Sequence, residues 1–556
     1  MICAAFALFI IPLPGQLVGG TTETIFEWDS ISAGDELGFS VADAGDVNGD
    51  GIRDLIGGSP RAHAVGHGHA GVAHVISGAD GSIILKFHGQ VGNDRFGESV
   101  ASAGDVNADG FADLIIGASA ADPNGILQSG SAYVYSGADG SLLYQMNGIG
   151  HGDHFGSSVS GAGDANNDGF DDFLVGADLA DGWGNGYAGS ASLYSGFDGS
   201  LIREWFGGDS LVFLGCSVSA AGDLNGDGFD DQIVGAYGAD SFSHTAAGVA
   251  KAFSGLDGSV LFLWRGSRSN ESFGKSVASA GDVNGDGVMD VVIGSNGSEI
   301  GALGGVQVYS GANGSLIHRW NGMRSDARRL GVSVSGGGDV NGDGFADVLA
   351  GADHKIIGGY SGPGAAFLFS GATGRLLKQW DGASIGDAFG YSVAVVDDLN
   401  TDQLADVAIG SPSYGTASSA FVFSYRPFLT TSSTTISAAL GGTLHCELAF
   451  PIEASGYMYK ILISASGIGP TTHGVDIPLT LDRWVAETFR GNYARATTLN
   501  MHGTLDSVGT AAASITFAPP LPSAIVGRIF VLAAIANPPG QLAEYSSVAV
   551  PLEITP

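Results

Sequence analysis

Residues 94–122 read DRFGESVASAGDVNADGFADLIIGASAAD, and the order of residue types in this stretch decides the fold. Small and apolar residues run from Ser99 to Gly104 as a short strand. An acidic run opening at Asp105 interrupts it, with Gly110 at the bend. Leu114 to Gly117 is continuously apolar, the signature of a strand buried on both faces. After a polar connection, Ala132 to Ser136 forms a third strand, and Asp139-Gly140 supplies a tight hairpin turn. Leu142 to Met146 then completes the unit. Four antiparallel strands in about 60 residues make one blade of a β-propeller.

The unit recurs along the chain. The acidic run opens at Asp46, Asp105, Asp164, Asp223, Asp282, Asp339 and Asp398, at spacings of 59, 59, 59, 59, 57 and 59 residues. Such regularity marks one supersecondary unit copied seven times. Trp205, Trp264 and Trp380 stand 18 residues before the next leading aspartate, and Trp320 stands 19 before it, which places them on the fourth strand. The seventh copy ends with its third strand, Phe421 to Tyr425. Thr24 to Trp28 offers the missing one, and Trp28 again precedes Asp46 by 18 residues. A solenoid needs polar caps, whereas a borrowed strand closes a ring and removes its open edges. The expected fold is all-β, a seven-bladed propeller over 21–427 closed by the N-terminal strand, with a β-sandwich-like domain over 428–556. That tail loses the period and reads as short apolar strands such as Tyr457 to Ser464 and Ile529 to Ala536.

Each acidic run has the form D-x-N-x-D-G-x-x-D. Side chains at positions 1, 3 and 5 of a tight loop can point inward, position 7 can offer its main-chain carbonyl, and position 9 closes the site from the next strand. The first set is Asp46, Asn48, Asp50, Ile52 and Asp54, and the second is Asp105, Asn107, Asp109, Phe111 and Asp113. The third is Asp164, Asn166, Asp168, Phe170 and Asp172, and the fourth is Asp223, Asn225, Asp227, Phe229 and Asp231. The fifth is Asp282, Asn284, Asp286, Val288 and Asp290, and the sixth is Asp339, Asn341, Asp343, Phe345 and Asp347. The seventh is Asp398, Asn400, Asp402, Leu404 and Asp406, where Gln403 replaces the loop glycine and a weak or empty site is expected. Oxygen donors without His or Cys favour Ca²⁺ over zinc, with up to seven ions. The plainer alternative is a set of Asx turns held by hydrogen bonds alone. Against it, three carboxylates on one loop repel one another unless a cation lies between them.

Other calcium architectures fit less well. An EF-hand needs Glu at loop position 12, where Gly57 stands, and flanking helices where strands are expected. A dockerin repeats at short spacing and continues into helices, and a nonapeptide β-roll repeats every nine residues. Phe96-Gly97 before the loop and Gly117-Ala118-Ser119 after it resemble the FG-GAP repeat of integrin α-chain propellers and of many secreted bacterial proteins. The first pair recurs at Phe155-Gly156, Phe273-Gly274 and Phe389-Gly390, and becomes Leu37-Gly38, Leu214-Gly215 and Leu330-Gly331 elsewhere. The closing element is Gly-Ala or Gly-Ser, with proline only at Pro60 and Pro412. The resemblance spans residues 22–427 and implies a seven-bladed propeller with calcium in the loops between the first and second strands. No inserted metal-dependent adhesion domain is present, so integrin-like ligand binding is not implied.

Charge and composition narrow the function. The 22 basic residues against 57 acidic ones give −35, which repels nucleic acid and anionic membranes. Residues 1–20 hold an apolar run, Ile2 to Pro12, of signal-peptide length and too short to span a bilayer. A secreted, extracellular protein with no membrane span is expected. Cys3, Cys216 and Cys446 lie far apart, and no disulfide framework is expected. His63, His67 and His69 form an H-x3-H-x-H pattern that can hold a transition metal, but a solvated loop is the plainer reading. The tryptophans can stack sugars, although packing of the outer strands explains their fixed place. In pairs such as Asp171-Asp172 and Asp230-Asp231 only one residue can face its loop, and the other is expected on the surface. There is no nucleophile elbow, P-loop or dinucleotide fingerprint. The sum points to a monomeric, non-enzymatic adhesion or ligand-binding scaffold that presents rigidly held loops to an extracellular protein or glycan. The alternative is a propeller-fold carbohydrate-active enzyme similar to polysaccharide lyases, whose basic catalytic cleft sits poorly with so acidic a chain.

Overall fold

The computed structural model describes residues 18–556 apart from 31, 33, 65–66, 182–185, 298–303, 323–328, 354–355, 358–359, 414–417, 432–434, 438, 441, 451–453, 465–470, 474, 478–496, 500, 508, 518–528, 538, 540–544, 548–549 and 556. The second repeat folds as Ser99–Gly104, Asp113–Ala118, Ser131–Tyr135 and Leu142–Asn147, hydrogen-bonded in that order. Each strand lies within a residue of its sequence expectation. Six such four-stranded sheets recur, and the seventh forms part of a larger sheet. Helical structure among the described residues is confined to 3₁₀ turns, such as Pro123–Gly125.

Burial follows strand position. The second strands, such as Asp54–Ser59, Asp113–Ala118 and Asp231–Ala236, are buried throughout. The fourth strands, such as Leu142–Asn147, expose residues to solvent. The apolar cores lie between neighbouring blades: Ile116 packs with Val75, and Ile115 packs with Val175. A blade therefore cannot bury its faces alone, which is why the repeats stack.

The glycines of the repeat explain how close the blades come. A Cβ on Gly58, Gly117, Gly176, Gly235, Gly294, Gly351 or Gly410 would overlap the carbonyl oxygen of Gly97, Gly156, Gly215, Gly274, Gly331, Gly390 or Gly38 respectively, each in the next blade. The second glycine of each pair has φ between 80° and 88°, a region L side chains avoid. The last pair, Gly410 with Gly38, joins blade seven to blade one. The same seam is bonded as elsewhere: Ser392 Oγ donates to Gly38 O at 2.8 Å, as Ser158 Oγ does to Gly215 O at 2.7 Å and Ser276 Oγ to Gly331 O at 3.0 Å.

The seventh blade is composite. Val393–Val396, Asp406–Ser411 and Ser419–Pro427 are completed by the N-terminal strand Val18–Asp29. The pairing is antiparallel from Gly20↔Pro427 to Asp29↔Ser419, with a bulge between Thr24 and Phe26. This strand starts at Val18, inside the stretch 1–20 read as a signal peptide; Ile2 to Pro12 itself lies outside the described residues.

Beyond the propeller, Leu429–Thr431, Gly442–Ala449, Thr510–Phe517 and Thr497–Leu499 form a four-stranded sheet. A second layer is built on Met458–Ser464 and Ile529–Asn537, and the layers share a core that includes Leu444, Cys446, Ile461, Ile515 and Leu532. Val18 and Gly19 pair in parallel with Ser546 and Ser547, so the sheet of blade seven continues into this second layer.

Candidate metal loops and the opposite face

The seven acidic loops share one hydrogen-bonding scheme. In the first, the N–H groups of Gly49 and Asp50 donate to Asp46 Oδ1 at 2.7 and 3.2 Å, and Gly51 N–H donates to Oδ2 at 3.0 Å. Ile52 N–H donates to Asp50 Oδ1 at 2.9 Å. The position-nine residue, Asp54, is buried and accepts from Val47 N–H at 2.9 Å and from Gly78 N–H at 3.0 Å. It thereby ties the loop to the far end of the third strand. The leading aspartates Asp105, Asp164, Asp223, Asp282, Asp339 and Asp398 repeat the bond from position six.

Burial pushes the position-nine carboxyls up, to about 6 at Asp54, Asp231 and Asp290 and to about 7 at Asp113, Asp172 and Asp406, with neighbouring loop carboxylates adding to the rise. Asp347 is pushed well above the ordinary carboxylate range by the same causes. Among the described residues no group of three or more His, Cys, Asp and Glu side chains is gathered tightly enough to hold a metal ion. The loop carboxylates turn toward main-chain N–H groups, as in Asx turns. The oxygen-rich loop chemistry nonetheless fits a hard cation, and the sixth loop carries an unanswered acceptor oxygen. Asn341 Oδ1 is buried without a partner, while its Nδ2 lies 2.8 Å from both oxygens of Asp347. Turning that amide over would set oxygen against oxygen, which only an intervening cation makes favourable.

The seventh loop keeps this geometry despite Gln403. Its N–H still donates to Asp398 Oδ2 at 2.6 Å, and the residue adopts φ 70° where the other loops have glycine at 85–92°. Thr401 is also left-handed, at φ 61°. Substitution has strained the loop, not unmade it.

Asp171 corrects a sequence expectation. It is half-buried and accepts the N–H of Asp105, a blade away, through Oδ2 at 2.8 Å. Asp230, also half-buried, takes the same place against the main chain of Asp164. The first aspartate of each pair is thus an inter-blade strut, not a surface acid. The tryptophans are struts too: the indole N–H groups of Trp28, Trp205, Trp264 and Trp320 donate to the carbonyls of Gly81, Gly258, Gly314 and Gly374 in the hairpin of the next blade. Trp380 Nε1 is buried without a partner, because the seventh blade is split and has no such hairpin.

The free thiols are structural. Cys446 is buried in the tail core, and Cys216 donates to Gly274 O at 3.4 Å with burial pushing its thiol up to about 11. In the histidine pattern, His63 and His69 sit 4.7 Å apart ring to ring, and His69 Nδ1 is bonded to Arg61 O.

At the other end of the inner strands, away from the acidic loops, aromatic side chains form a ladder that the repeat does not encode. Tyr187 stacks with Phe213 at 6.4 Å, Phe213 with Tyr237 at 4.8 Å, and Lys275 Nζ lies 4.6 Å above the Tyr237 ring. Nearby Arg265 lies over Phe242, which is 93% exposed, and Tyr187 is 49% exposed. Tyr187, Phe213, Tyr237 and Phe242 sit in connections of blades three and four, and Arg265 and Lys275 sit in the strands Val260–Arg265 and Phe273–Gly281. The copies differ at these places, so only departure from the repeat could have flagged them.

Five stretches of the chain, 39–76, 96–135, 155–194, 273–309 and 330–369, match the FG-GAP repeat. The chain carries FG-GAP repeats. These stretches are blades one, two, three, five and six. The propeller is integrin α-like: it is 31% identical over 220 residues to integrin alpha-5 of Xenopus laevis, 32% over 219 to integrin alpha-V of Gallus gallus and 32% over 221 to integrin alpha-8 of Mus musculus. The aligned part is 37%, 37% and 36% of this chain but only 20% of each relative. The FG and GAP glycines of the repeat are the inter-blade contacts described above. Among the described residues, no helix is long and apolar enough to cross a membrane.

Proposed function

We propose that this chain is an extracellular, calcium-binding β-propeller, spanning 21–427, that serves as an adhesion or ligand-binding scaffold for a protein or glycan, with residues 428–556 as an appended sandwich-like domain. The aromatic ladder Tyr187–Phe213–Tyr237 with Lys275 carries this reading. Tyr187 is exposed and Phe213, Tyr237 and Lys275 are half-buried beside it. Aromatic and basic groups on a rigid face are the usual anchors of recognition. The similarity to integrin α chains agrees with it.

Calcium belongs to the opposite face. The proposed ligands are the side chains at positions 1, 3, 5 and 9 and the carbonyl at position 7 of each loop. Bound there, the ion neutralises carboxylates that the fold holds together and draws in the position-three amide oxygen, as the unpartnered Asn341 Oδ1 anticipates. Its role is structural, since each loop joins two strands of a blade.

The test is a glycan-array and cell-surface binding screen in calcium, with Tyr187→Ala and Phe242→Ala as probes. Specific binding that both substitutions weaken supports the scaffold. Sustained uronate release from polysaccharides by purified protein would replace it with the lyase-like reading.

A further inference from the structure

Six blades end their third strand in Ser-Gly, namely Ser77-Gly78, Ser136-Gly137, Ser195-Gly196, Ser254-Gly255, Ser310-Gly311 and Ser370-Gly371. Each of those glycines presses on the preceding blade next to its acidic loop: Gly78 faces Leu399, Gly137 faces Val47, Gly196 faces Val106 and Gly371 faces Val283, all at loop position two. In the seventh blade the corresponding pair is Ser424-Tyr425. The register is set by hydrogen bonds, since Ser424 Oγ donates to Asp402 Oδ2 at 3.3 Å as Ser370 Oγ does to Asp343 Oδ2 at 3.4 Å. A tyrosine therefore stands where every other blade has glycine, and it is directed at the sixth loop, whose position-two residue Val340 shares a core cluster with it.

The consequence is visible in burial. Asn341 and Asp343 are 0% and 1% exposed, whereas positions three and five are half-exposed or exposed in the other six loops. Tyr425 is itself fully buried, and its hydroxyl has no hydrogen-bond partner. Burial holds that hydroxyl well above its ordinary range, and the Asp347 and Asp343 carboxyls add to the rise. Two polar groups, Asn341 Oδ1 and Tyr425 OH, are thus buried and unanswered at one acidic loop. Buried polar groups of this kind want a partner. Behind the ring lies the N-terminal strand: a Cβ on Gly20 would stand 2.7 Å from Tyr425 Cζ.

We propose that the sixth loop holds an occluded divalent cation, capped by the Tyr425 hydroxyl of the adjoining blade, which exchanges more slowly than the ions of the other loops. This rests on the calcium reading above and adds a cap that no other blade can supply. To leave, the ion must displace a ring wedged between the loop and the strand that completes the propeller. It therefore also fastens the seam where the first and last strands of the propeller meet.

The test is isotope exchange on the full chain. Protein loaded with radioactive calcium is chased with excess unlabelled calcium, and retained label is followed over time. One ion per chain is expected to persist after the rest have exchanged. Tyr425→Gly, which restores the residue of the other blades, should keep the total bound and abolish the slow ion. Tyr425→Phe keeps the wall but removes the hydroxyl, and should speed release by roughly 10–100-fold, the usual effect of losing a supporting partner at a metal site. Exchange of all ions in one fast class overturns the proposal while leaving the calcium reading intact. A slow ion indifferent to Tyr425→Phe overturns the part played by the hydroxyl. Absence of any bound calcium removes the general reading and this inference with it.

Discussion

Gly57 and Gly58 are neighbours on one buried strand, and the fold assigns them opposite tolerances. A Cβ on Gly57 meets only Leu37 Cδ1, at 3.8 Å, which is ordinary packing distance. A Cβ on Gly58 overlaps the carbonyl oxygen of Gly97 in the next blade, with the carbonyl carbon at 3.0 Å and Cα at 3.4 Å. Against a normal spacing of about 3.5 Å, the oxygen lies too close by more than about 1 Å. Both sides of that contact are main chain, so no side chain can swing away. Overpacking costs about 1–3 kcal/mol where the surroundings can yield, and here the blades themselves must part. Gly58→Ala is therefore expected to cost about 3 kcal/mol or more. Gly57→Ala should lie within about 1 kcal/mol of the parent, helped by the smaller entropy of its unfolded chain. Urea denaturation in millimolar calcium, followed by tryptophan fluorescence, measures both. Equal costs for the two, or a Gly58→Ala within about 0.5 kcal/mol of the parent, would refute the claim that blade spacing is set by these glycines.

Further outcomes follow from the same contacts. Gln403→Gly should stabilise the chelated protein by roughly 1 kcal/mol, because it releases a left-handed backbone strain that the other loops avoid; a denaturant midpoint unchanged or lowered counts against it. Trp320→Phe strands the carbonyl of Gly374 and should cost about 1–3 kcal/mol, more than Trp380→Phe, whose indole has no partner to lose; the order of their melting temperatures decides. Asp94, outside the loops, is pushed up to about 6, chiefly by burial. Its folded value lies above its unfolded one, so its contribution favours folding below the ordinary carboxylate range and is lost as the pH rises through about 6. Asp94→Asn should then gain stability over the parent above pH 6 and lose that advantage near pH 4, in melts across pH at fixed calcium.

The propeller was legible because its determinants repeat. A strand such as Asp113–Ala118 is announced by an acidic run before it and a closing Gly-Ala or Gly-Ser, seven times over. The split blade could be foreseen because Trp28 keeps the spacing of its counterparts. What stayed hidden is what does not repeat. Asp171 seemed a surface acid because its partner, the N–H of Asp105, belongs to another blade. By sequence Tyr425 is the end of a strand, and only inter-blade geometry shows that it fills a glycine's place. The ladder of Tyr187, Phe213 and Tyr237 is joined across blades by residues with no periodic signal. The tail was legible only as strands, since nothing in its spacing tells which pair.

The most direct test of the account is calcium itself. The full chain would be dialysed against millimolar calcium, assayed for bound metal by elemental analysis, and melted with and without excess chelator. With site affinities of ~10⁻⁴–10⁻³ M, each filled loop adds about 0.4–1.4 kcal/mol at 1 mM calcium. The account predicts several bound ions per chain and a melting temperature that falls sharply on chelation. No bound calcium and coincident melts would mean that the seven loops are hydrogen-bonded turns, and the calcium-bearing scaffold would be wrong.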